Sequence, residues 1–153
     1  MFANPFWHSL VTEHAGIAMG SPTARRFPAD VIPFAGALAW NEASLTALRD
    51  LLAPGESIII TGESIPSVAG LEPNLDLPGW QMHPQAPALE PPPEQTVTIR
   101  ELHAPDAPAM VALTDVAFPG YFRARTYILG RYFGIEIDGQ LIAMAGERLA
   151  LPG

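Results

Sequence analysis

No cysteine and no lysine occur in the 153 residues, and charged side chains make up only 16% of them. Without cysteine there is no disulfide, no thiolate nucleophile and no Cys-ligated zinc. That absence suits a reducing cytoplasm, although many exported proteins also lack cysteine. All eight basic residues are arginine, with no basic cluster, against sixteen acidic ones, for a net charge of −8. Such a chain repels phosphate backbones, which argues against nucleic-acid binding, and it has no polybasic segment to hold an anionic membrane. No apolar run approaches the ~20 residues of a membrane span. The N-terminus, MFANPFWHSLVTEHAG, has no basic leader and places His8, Glu13 and His14 where a signal core would be apolar. The expectation is a soluble, cytoplasmic, acidic protein with no nucleic-acid partner, no membrane partner and no metal.

What is present is enough to fold. Hydrophobic residues are 48% of the chain, and its length suits one ordinary domain or two small lobes. Prolines crowd one stretch: Pro66, Pro73, Pro78, Pro84, Pro87, Pro91, Pro92 and Pro93. They remove amide donors and fix φ, so residues 66–94 read as a linker, with Pro91–Pro93 a stiff polyproline-like spacer. A first lobe, residues 1–65, opens with a helix expected from Asn4 to Met19, capped by Asn4, started at Pro5 and ended by Gly20. Phe6, Leu10, His14 and Ala18 recur every fourth residue along it. A second helix is expected from Glu42 to Ala53 behind Asn41, burying Leu45, Leu48, Leu51 and Leu52. Ser57–Thr61 reads as a short buried strand, and Asp30–Trp40 has no clear period.

The second lobe, residues 95–153, is more explicit. Thr96–Leu102 alternates as a strand with Val97, Ile99 and Glu101 on one face. Asp106 then caps a helix to Phe118 that packs through Met110, Leu113 and Ala117, and Pro119-Gly120 ends it. An aromatic connector follows from Tyr121 to Tyr132. Last comes FGIEI-DG-QLIAMAGERL, two apolar runs joined by Asp138-Gly139, a hairpin with a tight two-residue turn. Leu141–Ala145 is apolar on both faces, so it expects cover on both sides and a neighbour on each edge.

The stretch FPGYFRARTYILGRYFGIEIDGQLIAMAGERLALPG, Phe118–Gly153, resembles the GNAT superfamily of N-acetyltransferases. The matching positions are Pro119, Gly120, Phe122, Arg125, Thr126, Leu129, Gly130, Tyr132, Gly134, Ile135, Asp138, Gly139, Leu141, Ala143 to Leu149, Pro152 and Gly153. NPFWHSL and RFPADVIPFAG are similar to the leader such proteins carry. The resemblance implies an α+β chain: an incomplete GNAT fold with antiparallel strands and a terminal hairpin, preceded by a small α/β lobe. It also implies acetyl-CoA as co-substrate of the intact protein and a small-molecule or peptide amine as acceptor.

The family's pyrophosphate loop, R/Q-x-x-G-x-G/A, uses successive amides at a helix start to hold phosphate oxygens. No such string occurs here, and the sequence stops just before the strand that would lead to it. The expectation is therefore an acceptor-side half, truncated before its cofactor half and unable to bind acetyl-CoA alone. Leu141–Leu149 would then be an exposed apolar edge waiting for a missing C-terminal half or a partner strand. The alternative is a non-enzymatic module that pairs a partner's strand through that edge.

Candidate site residues are Tyr121, Phe122, Arg125 and Glu147, with no catalytic residue assigned. Glu147 either faces the acceptor groove, drawing in a cationic amine, or is a solvated strand-end charge paired with Arg148 or Arg125. Arg123 and Arg125 either hold an acceptor carboxylate or are solvated loop arginines. Tyr121, Phe122, Tyr127, Tyr132 and Phe133 either wall an acceptor pocket or fill the space between helix and sheet, with Phe133 expected in the core. His8, His14, His83 and His103 have no metal-ligand spacing, and no G-x-S-x-G elbow is present.

Overall fold

Asn4 starts the first helix as expected, its Oδ1 accepting from the Trp7 amide at 3.3 Å while its Nδ2 donates to the Ala37 carbonyl at 2.8 Å. This helix, α1, spans Pro5–Val11 and not the longer range to Met19. The Thr12 hydroxyl takes the His8 carbonyl at 2.6 Å, the acceptor a helical Thr12 amide would have used, and the chain turns. His14 is nevertheless buried, so the four-residue stripe marked burial correctly and overstated helix length. In the computed structural model, residues 4–80, 82 and 97–152 are described. The expected polyproline run Pro91–Pro93, with Pro84, Pro87 and His83, lies outside the described residues, as do Thr96 and Gly153.

Three short antiparallel strands follow, β1 (Met19–Gly20), β2 (Ala24–Arg26) and β3 (Ala35–Ala37), in that spatial order. The strand β3 is small throughout because α1 lies on it: a Cβ at Gly36 would sit 2.6 Å from the Trp7 nitrogen. Gly20, expected to end a helix, lies in β1. Helix α2 (Glu42–Arg49) is capped by Asn41, whose Oδ1 accepts from the Ser44 amide at 2.9 Å. It ends four residues before the expected Ala53, because Leu51 and Leu52 bond back only three residues, to Leu48 and Arg49. Leu45 and Leu48 bury against Ala24, Ala35 and Ala37. Ser57–Thr61 is not a buried strand. It forms one parallel bridge, Phe34 to Ile59, and Ile59 faces outward while Ile58 and Ile60 pack on the α2 core.

The second sheet is β4 (Ile99–Leu102), β5 (Tyr132–Ile137) and β6 (Gln140–Gly146), antiparallel in that order. The Asp138-Gly139 turn is as expected, with φ of 52° and 77°, the left-handed pair of a tight hairpin. Ile135 pairs with Ala143 but Glu136 pairs with Leu141, so a bulge leaves Ile142 unopposed. Helix α3 (Ala107–Asp115) covers one face, where Met110, Phe122, Leu102, Tyr132 and Leu141 form a core. Arg100 ties β4, β5 and the approach to α3 together, its Nη2 reaching Glu136 Oε1 at 2.6 Å and Asp106 Oδ1 at 2.7 Å. That guanidinium, with the His103 amide, holds the Asp106 carboxyl down to about 2.

Three expectations about this sheet are corrected. The Val97/Ile99 face of β4 points to solvent, and Leu102 on the opposite face enters the core. Ala117 is exposed, because α3 stops at Asp115, whose Oδ1 accepts from the Gly120 amide at 2.8 Å and turns the chain early. Phe133 is on the outer face, 37% exposed under the Arg131 guanidinium, because its neighbours Tyr132 and Gly134 occupy the inner one. Among the described residues β6 has a strand on one side only, and no helix is long and apolar enough to cross a membrane.

The first and second sheets meet through the connector. Leu129 is fully buried among Leu10, Phe27, Val31, Ile32 and Phe34. The Thr126 hydroxyl donates to the Val31 carbonyl at 2.5 Å, and the Arg125 amide to the Asp30 carbonyl at 3.0 Å. The end of the chain returns to the same place. Ser9 Oγ donates to the Ala150 carbonyl at 2.8 Å, and the Ala150 amide donates to His14 Nε2 at 3.3 Å.

The His14 contact makes stability depend on pH. Burial holds His14 below its ordinary value of 6.5, outweighing the nearby Glu13 and Glu147 charges. The folded protein favours the neutral ring, so the unfolded chain takes up the proton first as pH falls. The contribution is complete above 6.5, is lost as pH drops through that value toward the lower folded one, and then levels off. Urea midpoints are expected to fall between pH 7.5 and 5.5. In His14→Gln, which keeps an acceptor but cannot titrate there, the fall should shrink; an unchanged fall would assign it elsewhere.

Candidate functional site

Alternation along β6 decides which side chains meet α3. Met144 and Gly146 share the inner face with Leu141, and two residues further on Arg148 continues it. Opposite them Thr114 of α3, Phe122 of the connector and Tyr132 of β5 complete a cavity of about 130 Å³. Phe122 is held edge-on to Tyr132, ring centroids 5.4 Å apart. The Arg148 guanidinium lies 3.6 Å from the centre of the Tyr121 ring, and its Nη2 donates to the Tyr121 carbonyl.

Two polar groups here are buried with no hydrogen-bond partner among the described residues: the Tyr132 hydroxyl and Arg148 Nε. Tyr132 is 5% exposed, and burial pushes its hydroxyl above the ordinary tyrosine range, so it stays a donor at neutral pH. Burial likewise lowers Arg148, while its two tyrosine neighbours favour the charge. A larger depression, about 650 Å³, lies against Asn41, Glu42, Ala43 and Thr46, but no buried side chain lines it.

The four sequence-derived candidates separate. Phe122 lines the cavity, and Tyr121 borders it through Arg148. Arg125 lies away from it, its Nη1 3.2 Å from Asp30 Oδ2. Arg123 donates to the carbonyls of Ala29 and Gly120. Glu147 is exposed; its backbone amide donates to the Arg131 carbonyl at 3.0 Å, and it pairs with neither Arg148 nor Arg125. Arg148 was missed as a lining residue. The signal was the two-residue period, which carries the Met144–Gly146 face onward to position 148. Among the described residues no three His, Asp or Glu side chains come together as metal ligands.

No protein-family model matches the sequence, and no curated protein matches it. Among solved structures, a crystal structure of a candidate acetyltransferase of the GNAT family from Novosphingobium aromaticivorans superposes with a TM-score of 0.66 at 25% identity. The likeness covers 97% of this chain. The chain has a GNAT-like fold. It spans 65% of the length of that neighbour, just under two thirds.

A GNAT-like fold raises the question of where an acyl-CoA pyrophosphate would sit. A helix start serves that purpose only if its amides are free. The helices α1 and α3 each carry proline in their first two positions, and in α2 the Asn41 side chain takes the Ser44 amide. Each of these helix starts has therefore given up at least one of its four amides.

Proposed function

We propose that this chain is the acceptor-side part of an N-acyltransferase, one that moves an acetyl group from acetyl-CoA to a small-molecule or peptide amine. The observation that carries the reading is the likeness to a GNAT-family candidate acetyltransferase over 97% of this chain. Strand, helix, connector and hairpin follow in order along residues 99–146, ending in the terminal hairpin that the resemblance implies. Of the working parts, the chain supplies the connector and the hairpin that wall the acceptor side. The reading places the protein in the cytoplasm, where acetyl-CoA is supplied.

On this reading the 153-residue chain alone neither binds acetyl-CoA at millimolar or better affinity nor turns it over. A version extended by a strand and an R/Q-x-x-G-x-G/A loop does both. Calorimetry with acetyl-CoA on the two chains side by side tests this, and turnover by the short chain would overturn it. The edge of β6 with no neighbouring strand among the described residues favours a second reading, a module that pairs with a partner's strand. Extension without gain of acetyl-CoA binding would favour that one.

A further inference from the structure

We infer that the cavity between α3 and β6 is a binding site for a carboxylate on a short apolar stem, read by the Tyr132 hydroxyl and the Arg148 guanidinium. The inference goes beyond the acyltransferase reading and does not rest on it. Its starting point is that two residues lining this cavity each carry a buried polar group with no partner among the described residues. Buried donors are nearly always satisfied, and an unsatisfied one is destabilising, more so when charged. Two at the same place point to a ligand that brings the acceptors.

Charge decides what kind of ligand. Five of the arginines, Arg26, Arg49, Arg100, Arg125 and Arg131, are paired with carboxylates. Arg148 is not, nor are Arg25 and Arg123, which bond only carbonyls. Arg148 is the one arginine with a buried unpartnered nitrogen among the described residues. Stacking on Tyr121 and the bond from Nη2 to the Tyr121 carbonyl fix the guanidinium plane and leave Nε buried without an acceptor. No acidic side chain lines the cavity, and the Thr114 hydroxyl is already donating to the Met110 carbonyl at 2.9 Å. The site therefore offers two donors and a positive charge but needs acceptors, which is the complement of a carboxylate.

Size and wall chemistry set the stem. At about 130 Å³ the cavity is close to the engineered void that admits benzene, so it takes a group of roughly six heavy atoms. Phe122, Met144 and Gly146 give that stem an apolar wall. Arg123 and Arg125, the sequence-based candidates for holding a carboxylate, are occupied by Ala29, Gly120 and Asp30 instead.

The test uses butyrate against butyramide, equal in shape and differing in charge, titrated into the full chain and followed by amide chemical shifts. Butyrate is expected to bind roughly tenfold or more tightly than butyramide, with shifts concentrated at Tyr121, Tyr132 and residues 144–148. Arg148→Met should weaken butyrate by roughly tenfold or more with butyramide little changed, and Tyr132→Phe should weaken butyrate by roughly threefold or more. The wild-type comparison needs no variant, so it stands even if Arg148→Met fails to fold. Equal binding of the two probes, or no shift at either up to high millimolar concentration, would overturn the inference and leave water as the partner of both groups. Acetyl-CoA enters none of these measurements, so this result and that of the extended chain can fail separately.

Discussion

Replacing Glu56 with alanine is expected to remove about 3–5 kcal/mol from the unfolding free energy, the largest loss expected from a carboxylate among the described residues. The cause is Arg26, a charged residue on β2 that is only 4% exposed. Its guanidinium grips Glu56 with both terminal nitrogens, Nη1 reaching Oε2 at 2.8 Å and Nη2 meeting Oε1. The same guanidinium donates to the carbonyls of Leu51 and Phe27 at 3.1 Å each. It thus fastens the first sheet to the turn after α2. Without Glu56 the positive charge stays buried with only carbonyl partners, which is far more costly than removing the pair together. The double variant Arg26→Met/Glu56→Leu is accordingly expected to lose much less than Glu56→Ala alone. Urea unfolding of the three proteins checks this, and equal losses for single and double variants would refute it.

The same pair contributes an acid limit. The bond from Arg26 holds the Glu56 carboxyl down to about 2 from an ordinary 4.5. For a depressed carboxylate the stabilisation is complete above the ordinary value and is lost as pH falls from there through about 2. His14 acts in a higher window, around and below 6.5. Two separate steps in stability against pH are expected.

Those two residues also mark where sequence reading stopped. The hairpin at Asp138-Gly139, the Asn4 and Asn41 caps and the buried Leu45/Leu48 face were legible because each depends on a few neighbouring residues. Arg26 and Glu56 lie thirty positions apart, and nothing local announces a buried ion pair. Helix lengths were overstated for a related reason. Thr12 and the turn at Leu51–Leu52 are settled by competing hydrogen bonds, to which hydrophobic spacing is blind. At the cavity, Phe122 and Tyr121 could be found from the aromatic connector. Arg125 had the right chemistry for a carboxylate but is claimed by Asp30, ninety-five residues away. Arg148 could have been found by extending the β6 alternation past Gly146.

Leu129→Ala is expected to cost about 2–5 kcal/mol, and the pattern of that loss is more informative than its size. Leu129 is fully buried, yet it belongs by sequence to the connector of the second sheet and by contact to the core of the first. Around it the connector is bonded to residues 29–31: Arg123 to the Ala29 carbonyl, the Arg125 amide to Asp30, the Thr126 hydroxyl to Val31. A cavity at Leu129 therefore loosens the segment that carries Phe122 and leads into Tyr132. If the two sheets share one cooperative unit through this leucine, amides of β2 and β3 and those of β5 and β6 lose hydrogen-exchange protection by the same free energy. Loss confined to β2 and β3 would mean that the second sheet holds its shape unaided, and that the connector reaches the cavity already folded. The coupling is expected because three hydrogen bonds, one each from a guanidinium, a backbone amide and a hydroxyl, and one buried side chain converge on the span Arg123–Leu129. On that basis Leu129→Ala should also weaken butyrate at the cavity, although Leu129 lines no part of it.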